Sequence, residues 1–303
     1  MGWGLLLVVF YFVGRYVVAN WNAIENVGAP RPGWLIAATL IGLLSYMIHP
    51  YALKALIEAH GPAVSYPKTL GLCYVPWLGK YVPGKIWAVI TGLYLFSKAG
   101  IPQPIAVTCI LLFTFLNLAA GLLITLLFGL PGIIDFTSIW PVVGLALTIV
   151  IGVLPRILYP TLNWFLRWIG RPEMDAGLPA RSLYRVLLIM VASNVTYGFG
   201  FACLVRSFAD FPSDEMLRLV GLMVFGEVSG FLALFAPAGI GVREGVLMAG
   251  LTPLIGTGPA IVISGVARVW GTVLEFIMIG LGWVGMRNSG SRNSSKESSG
   301  SKE

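Results

Sequence analysis

Charged residues make up only 11% of this 303-residue chain, and several of them interrupt sequence that is otherwise apolar. Lys80, Lys85, Arg243 and Arg268 lie inside such stretches, as do Glu227, Glu244 and Glu275, with Arg15 nearer the start. An Arg, Lys or Asp at the centre of a helix in lipid costs roughly 2.5 to 3.5 kcal/mol, so groups of this kind face a polar cavity or a partner.

Two positions narrow the chemistry. Lys85 follows Pro83-Gly84, and Arg243 follows the run Pro237-Ala238-Gly239-Ile240-Gly241-Val242. Pro and Gly end one helix and let another begin, so each cation falls where a new helix presents unpaired backbone N–H groups, and such ends attract anions. Two such termini approaching each other would make a positive site near the bilayer midplane, suited to a phosphate or phosphodiester. Lys80 and Arg268 are placed with Lys85 and Arg243 as candidate head-group ligands. Glu227, Glu244 and Glu275 would gate that site or balance its charge. Glu275 follows Arg268 by seven residues, about two turns along one helix face. The plainer reading is that buried Arg–Glu pairs only hold helices together. Arg15, close to the end of a span, is read as snorkelling to the interface.

Catalysis has no visible machinery. No Ser, Cys or Thr stands with a positioned base, and there is neither a Walker-type loop nor an Asp-rich metal motif. His49 precedes Pro50 near an expected helix end, His60 lies in a loop, and neither has a second ligand at metal spacing. Cys73, Cys109 and Cys203 form no C-x-x-C pair. The sequence therefore predicts a non-enzyme with no metal and no cofactor. Gly226 with Gly230, and Gly241 with Gly245, match G-x-x-x-G and are read as packing positions.

Composition says what kind of element must hold these residues. Hydrophobic residues reach 57% and the mean hydropathy is +0.85, whereas a soluble domain is about a quarter charged. The expected fold is all-α, a polytopic transmembrane helical bundle, because an open sheet would leave backbone groups unpaired in lipid. The net charge of +7 does not indicate nucleic acid, since no stretch supplies a folded polar surface.

Full spans are expected at 34–52, 103–129, 139–154, 182–206 and 259–286, with a further one at 3–18. Regions 69–97 and 216–255 are apolar but interrupted at 78–85 and 235–244. The pieces of the first are too short to cross a core of about 30 Å at 1.5 Å per residue, which predicts a re-entrant hairpin; the second is read the same way, with a full span at 216–236 as the alternative. Gly100-Ile101-Pro102 closes the first region and Gly256-Thr257-Gly258-Pro259 the second, and a full span follows each at once. The economical reading is a duplication, span then broken hairpin then span, over 34–129 and 182–286, with 139–154 as connector.

Lys54, Lys68, Lys98, Arg156, Arg181 and Arg185 fall on one side of these spans, and Asp135, Asp210, Asp214 and Glu215 on the other. The positive-inside rule then puts both termini in the cytoplasm. The connector reverses direction, so the two copies are inverted repeats. Segment 158–169, with Tyr159, Trp164, Arg167 and Trp168, reads as an interfacial helix. The apolar residues stop before 288, so the expectation is one transmembrane domain at 1–286 and a disordered cytoplasmic tail at 287–303.

Lys80-Tyr81-Val82-Pro83-Gly84-Lys85 and Pro237-Ala238-Gly239-Ile240-Gly241-Val242-Arg243-Glu244-Gly245, supported by Arg268, resemble the lysylphosphatidylglycerol synthase transmembrane family, also described as flippase-like. The resemblance covers about 34–286. It implies a helical bundle that moves or binds lipids across the bacterial or archaeal cytoplasmic membrane. Relatives include the membrane half of enzymes that add lysine to phosphatidylglycerol, and stand-alone members associated with glycolipid, polyprenyl-linked sugar or hopanoid pathways. The aminoacyl-transferring enzymes carry a large soluble C-terminal domain, whereas this sequence ends in a short polar tail. It is therefore read as a stand-alone member that does not inherit synthase activity.

The leading expectation is a flippase or scramblase that translocates or binds a phosphate-bearing lipid, whether phospholipid, glycolipid or polyprenyl-linked sugar. With no ATP site, the process would be scrambling or would follow an ion or lipid gradient. The alternatives are an accessory subunit or membrane-embedded transferase of envelope-lipid biosynthesis, and a small-solute secondary transporter. Expected partners are membrane lipids, with a lipid-modifying enzyme or glycosyltransferase as a further candidate.

Overall fold

A computed structural model describes residues 28–81, 86–129, 140–168, 177–233, 236 and 239–300. Helix α1 is Pro32–Ala59, and α2 is Tyr66–Tyr74, extended by 3-10 turns over Val75–Tyr81. Helix α3 is Ile86–Lys98, and α4 is Gln103–Ile124, ending in a π turn at Thr125–Gly129. Then come α5 (Trp140–Gly152), α6 (Pro155–Trp168) and α7 (Ala180–Phe208). The last three are α8 (Met216–Leu232), α9 (Val242–Ile255) and α10 (Thr257–Gly300). Helix α1, α4 with its π turn, α7 and the Thr257–Arg287 part of α10 are each long and apolar enough to cross a membrane. The chain is a multi-pass helical membrane protein. The span expected at 3–18 lies outside the described residues.

Helix α1 runs beyond its expected end at 52 although Pro50 sits inside it. Proline has no N–H, so the carbonyl four residues earlier, on Tyr46, loses its helical partner. The Tyr74 hydroxyl donates to that carbonyl at 2.6 Å. The helix continues, α2 is pinned to it, and His49 is buried inside α1 instead of standing near a helix end.

Within the connector expected at 139–154 the described helix is α5, which passes as a candidate span together with α6. With 13 residues, α5 is about 20 Å long. The chain then bends by 77° into α6, because Leu154 precedes a proline and is disfavoured as helix. Helix α6 buries Leu158, Tyr159 and Leu162 and exposes Trp164 and Trp168, the two-faced pattern expected of an interfacial segment. Helical backbone in α10 continues to Gly300, into the tail whose composition predicts disorder. Extending a formed helix avoids the cost of nucleating one.

In the first region expected to be interrupted, α2 passes into 3-10 turns over Val75–Tyr81 and α3 begins at Ile86; in the second, α8 ends at Leu232 and α9 begins at Val242. Helices α1 and α7 run antiparallel between them. The Arg31 N–H donates to the Ser207 carbonyl at 2.8 Å, and a methyl on Gly200 would stand 3.2 Å from the Ala38 carbonyl. At the crossing, the Ser45 hydroxyl donates to the Ser193 carbonyl at 2.8 Å, and the Ser193 hydroxyl to the Ser45 carbonyl at 3.0 Å. Two further crossings place the breaks. Gly71 on α2 meets Gly282 on α10, and Gly221 on α8 meets Gly129 at the end of α4. A side chain at any of the four would overlap the facing backbone or a side chain beside it. Small residues of this kind are what let membrane helices approach closely.

Candidate functional site

Gly226 and Gly230 turn a bare face of α8 toward α9. A methyl on Gly226 would stand 3.3 Å from Leu247, and one on Gly230 would stand 3.4 Å from the Arg243 Cβ. That approach sets Arg243 beside Glu227, and an Arg243 terminal nitrogen lies 2.7 Å from Glu227 Oε1. Gly241, with φ +88°, begins α9, a conformation glycine adopts without steric cost. Glu244 folds back and accepts the Gly241 N–H at 2.6 Å, while its other oxygen lies 3.7 Å from Arg268 Nε. The N-terminus of α9, expected to be open to an anion, thus already holds a carboxylate from its own first turn. Gly241 and Gly245 face open space, so only the Gly226–Gly230 pair acts in packing as expected.

Arg268, Gly271 and Glu275 follow one another along one face of α10. A methyl on Gly271 would stand 2.7 Å from the Tyr197 hydroxyl and 3.5 Å from Arg243 Nη2. The absence of a side chain there admits both groups. Arg243 Nη2 donates to that hydroxyl at 3.4 Å. One turn further, buried Glu275 pairs with Lys80 at 2.6 Å, and the Lys80 ammonium sits 4.8 Å above the Trp77 ring. A wall of rings joins the two ends of this face. Tyr197 stacks on Trp270 at 5.3 Å, Tyr46 lies 5.7 Å from Tyr197 and 5.5 Å from Tyr74, and Tyr74 lies 5.0 Å from Trp77.

Two of the three ion pairs, those of Arg268 and Glu275, therefore occupy about 10 Å of α10, and the Arg243–Glu227 pair between α9 and α8 meets the same stretch at Gly271. This stretch straddles Thr272, the midpoint of the Thr257–Arg287 span. The charges sit halfway along a membrane-crossing helix, where each would be most costly alone.

The structure brings together Lys80, Arg243, Arg268, Glu227, Glu244 and Glu275. Lys85, Pro83, Gly84 and Pro237 lie outside the described residues. The pairing differs from that suggested by spacing. Arg268 and Glu275 share a face of α10 but are about two turns apart, too far to touch, and each pairs with a different helix. Among the described residues the cluster is charge-balanced, three cations against three carboxylates. Gly271, Tyr46 and Tyr197 carried no motif. Only the place of Gly271, three residues after Arg268 and four before Glu275, could have marked it.

Arg243 Nε, Trp270 Nε1 and Glu275 Oε1 are buried without a hydrogen-bond partner among the described residues. Buried polar atoms are normally satisfied, so two donors and one acceptor are left for a ligand or for water. Among the described residues no three His, Cys, Asp or Glu gather as a metal would need. A family model of the lysylphosphatidylglycerol synthase TM region matches residues 2–278, and the chain belongs to that family. A search of curated proteins finds no match.

Proposed function

We propose that this member of the lysylphosphatidylglycerol synthase transmembrane family is a non-enzymatic flippase or scramblase that takes phosphate-bearing lipid head groups through the charge cluster on α10. The observation that carries this reading is three ion pairs gathered against the middle of a span, two of them with a member on it, and buried donors without a partner among the described residues beside them. Arg243 Nε and Trp270 Nε1 would be first to meet a phosphate oxygen. Glu227 is 40% exposed against 9% for Arg243, so the carboxylate is the partner that swings away and lets the phosphate take its place. Charge-assisted Arg–phosphate bonds are strong enough to make that exchange close to balanced. The acyl chains stay in lipid while the head group crosses.

Inverted repeats are the framework of this reading, and α1 and α7 support it. They begin 180 − 32 = 148 residues apart, and Ser45 and Ser193 are also 148 apart. Equivalent positions of two antiparallel helices bond each other reciprocally, as they would on a two-fold axis in the membrane plane. The crossings of α2 with α10 and of α8 with α4 are related in the same way. On this reading, the two interrupted regions are re-entrant hairpins from opposite leaflets of the cytoplasmic membrane, both termini are inside, and rocking of one repeat against the other exposes the cluster alternately.

Reconstitution into liposomes carrying a fluorescent phospholipid tests the proposal. Wild-type protein should speed the loss of inner-leaflet lipid to an external quencher, and the double variant Arg243→Ala, Lys85→Ala should not. Equal rates for the two would refute it. Uptake of a water-soluble substrate without lipid movement would favour a solute transporter instead.

A further inference from the structure

Helices α1 and α7 cross at Ser45 and Ser193, and the two ends of the crossing differ. At one end Arg31 donates to both oxygens of Asp210, at 2.6 and 2.5 Å, and the Arg206 guanidinium covers the Phe211 ring at 4.3 Å. The hydrogen bond from Arg31 holds the Asp210 carboxyl below its usual value, so this clasp keeps its charge at neutral pH. The other end carries a groove of about 500 Å³ on its surface, between Tyr51, Lys54 and Glu58 of α1 and Arg185, Leu188 and Ala192 of α7.

Charge and depth together say what fits the groove. Two cations face one carboxylate, leaving one positive charge. Lys54 is held by Glu58 and donates to the Val64 carbonyl. Arg185 is exposed, and among the described residues no carboxylate lies within ion-pair distance of it. It stands five residues into α7 and nine from the middle of that helix, about 13 Å away, close to the edge of a hydrocarbon core about 30 Å thick. From there the apolar Leu188 and Ala192 lead toward the membrane middle, with Tyr51 and Leu188 facing outward. A cation at head-group level above an apolar channel matches one glycerophosphate and the beginning of an acyl chain.

We propose that this groove binds a phospholipid of net negative charge, with its phosphate against Arg185 and one acyl chain along Leu188 and Ala192. The bound lipid lies between the exposed side chains of α1 and α7 at this end. The site is separate from the cluster on α10 and requires no lipid movement, so it stands or falls independently of the proposed function.

Native mass spectrometry of the full chain, purified in detergent with added phosphatidylglycerol or phosphatidylcholine, tests the proposal. Wild type should retain phosphatidylglycerol in preference. Arg185→Gln should retain it about fivefold less, as expected for one cation near a head group. Leu188→Trp, which keeps the charge but fills the groove, should also lower retention. Arg181→Gln removes the same charge outside the groove and should leave retention unchanged. In Arg243→Gln, retention at the groove should persist while transport is lost, which separates this site from the translocation site. Equal retention of the two lipids by wild type, or wild-type retention in both Arg185→Gln and Leu188→Trp, would overturn the proposal.

Discussion

Glu275 is 3% exposed, yet one of its carboxylate oxygens has no hydrogen-bond partner among the described residues. Its stability rests on Lys80. Breaking a buried pair from one side costs about 3 kcal/mol or more, whereas replacing both partners with apolar residues is often neutral. Lys80 is partly exposed, at 34%, which puts Glu275→Gln toward the lower part of that range. Thermal unfolding in detergent should show Glu275→Gln clearly destabilised and the double variant Lys80→Met, Glu275→Leu close to wild type. Gly271→Ala should be milder in stability, by about 1 to 2 kcal/mol. It should slow lipid movement more than its stability explains, because its methyl pushes Tyr197 and Arg243 out of register. At this scale the sequence was informative about the charges, since each is conspicuous in apolar surroundings. Their partners were not legible, because Arg268 and Glu275 pair across helices whose contact is set by distant glycines.

The elements follow their sequence signals wherever the determinant is local. Pro and Gly mark both breaks, and α3, α9 and α10 begin close to where those residues allow. Two boundaries depend on something remote. Pro50 does not end α1, because a hydroxyl 24 residues on, that of Tyr74, replaces the missing bond. The span expected at 139–154 leads into a sharp bend, because Pro155 acts where hydropathy alone continues. Packing at the crossings gives a paired test. Gly221→Leu should abolish accumulation of folded protein, since the added side chain would overlap the Gly129 backbone. Gly245→Ala meets open space and should be neutral or stabilising by up to about 1 kcal/mol. Both are read as folded yield on size-exclusion chromatography. Cysteines in place of Ser45 and Ser193, whose hydroxyl oxygens are 3.3 Å apart, should form a disulfide on mild oxidation, seen as a mobility shift. If the crossing is the pivot of the rocking motion, that link should leave lipid movement intact.

Across the whole molecule, spans and breaks are placed so that the costliest residues meet in one layer. Ser45 and Ser193, like the stretch from Arg268 to Glu275, lie near the middle of their respective spans. An assembly of this kind is either scaffolding or a path for polar groups, and the two make opposite forecasts for a variant that stays folded without its charges. The decisive measurement is the transbilayer rate of fluorescent phospholipid in liposomes containing the Arg243→Met, Glu227→Leu double variant, prepared beside wild type with matched thermal stability. The charge cluster as a lipid path predicts a folded protein with the rate of empty liposomes. A wild-type rate in that variant would mean that the pairs only hold helices together.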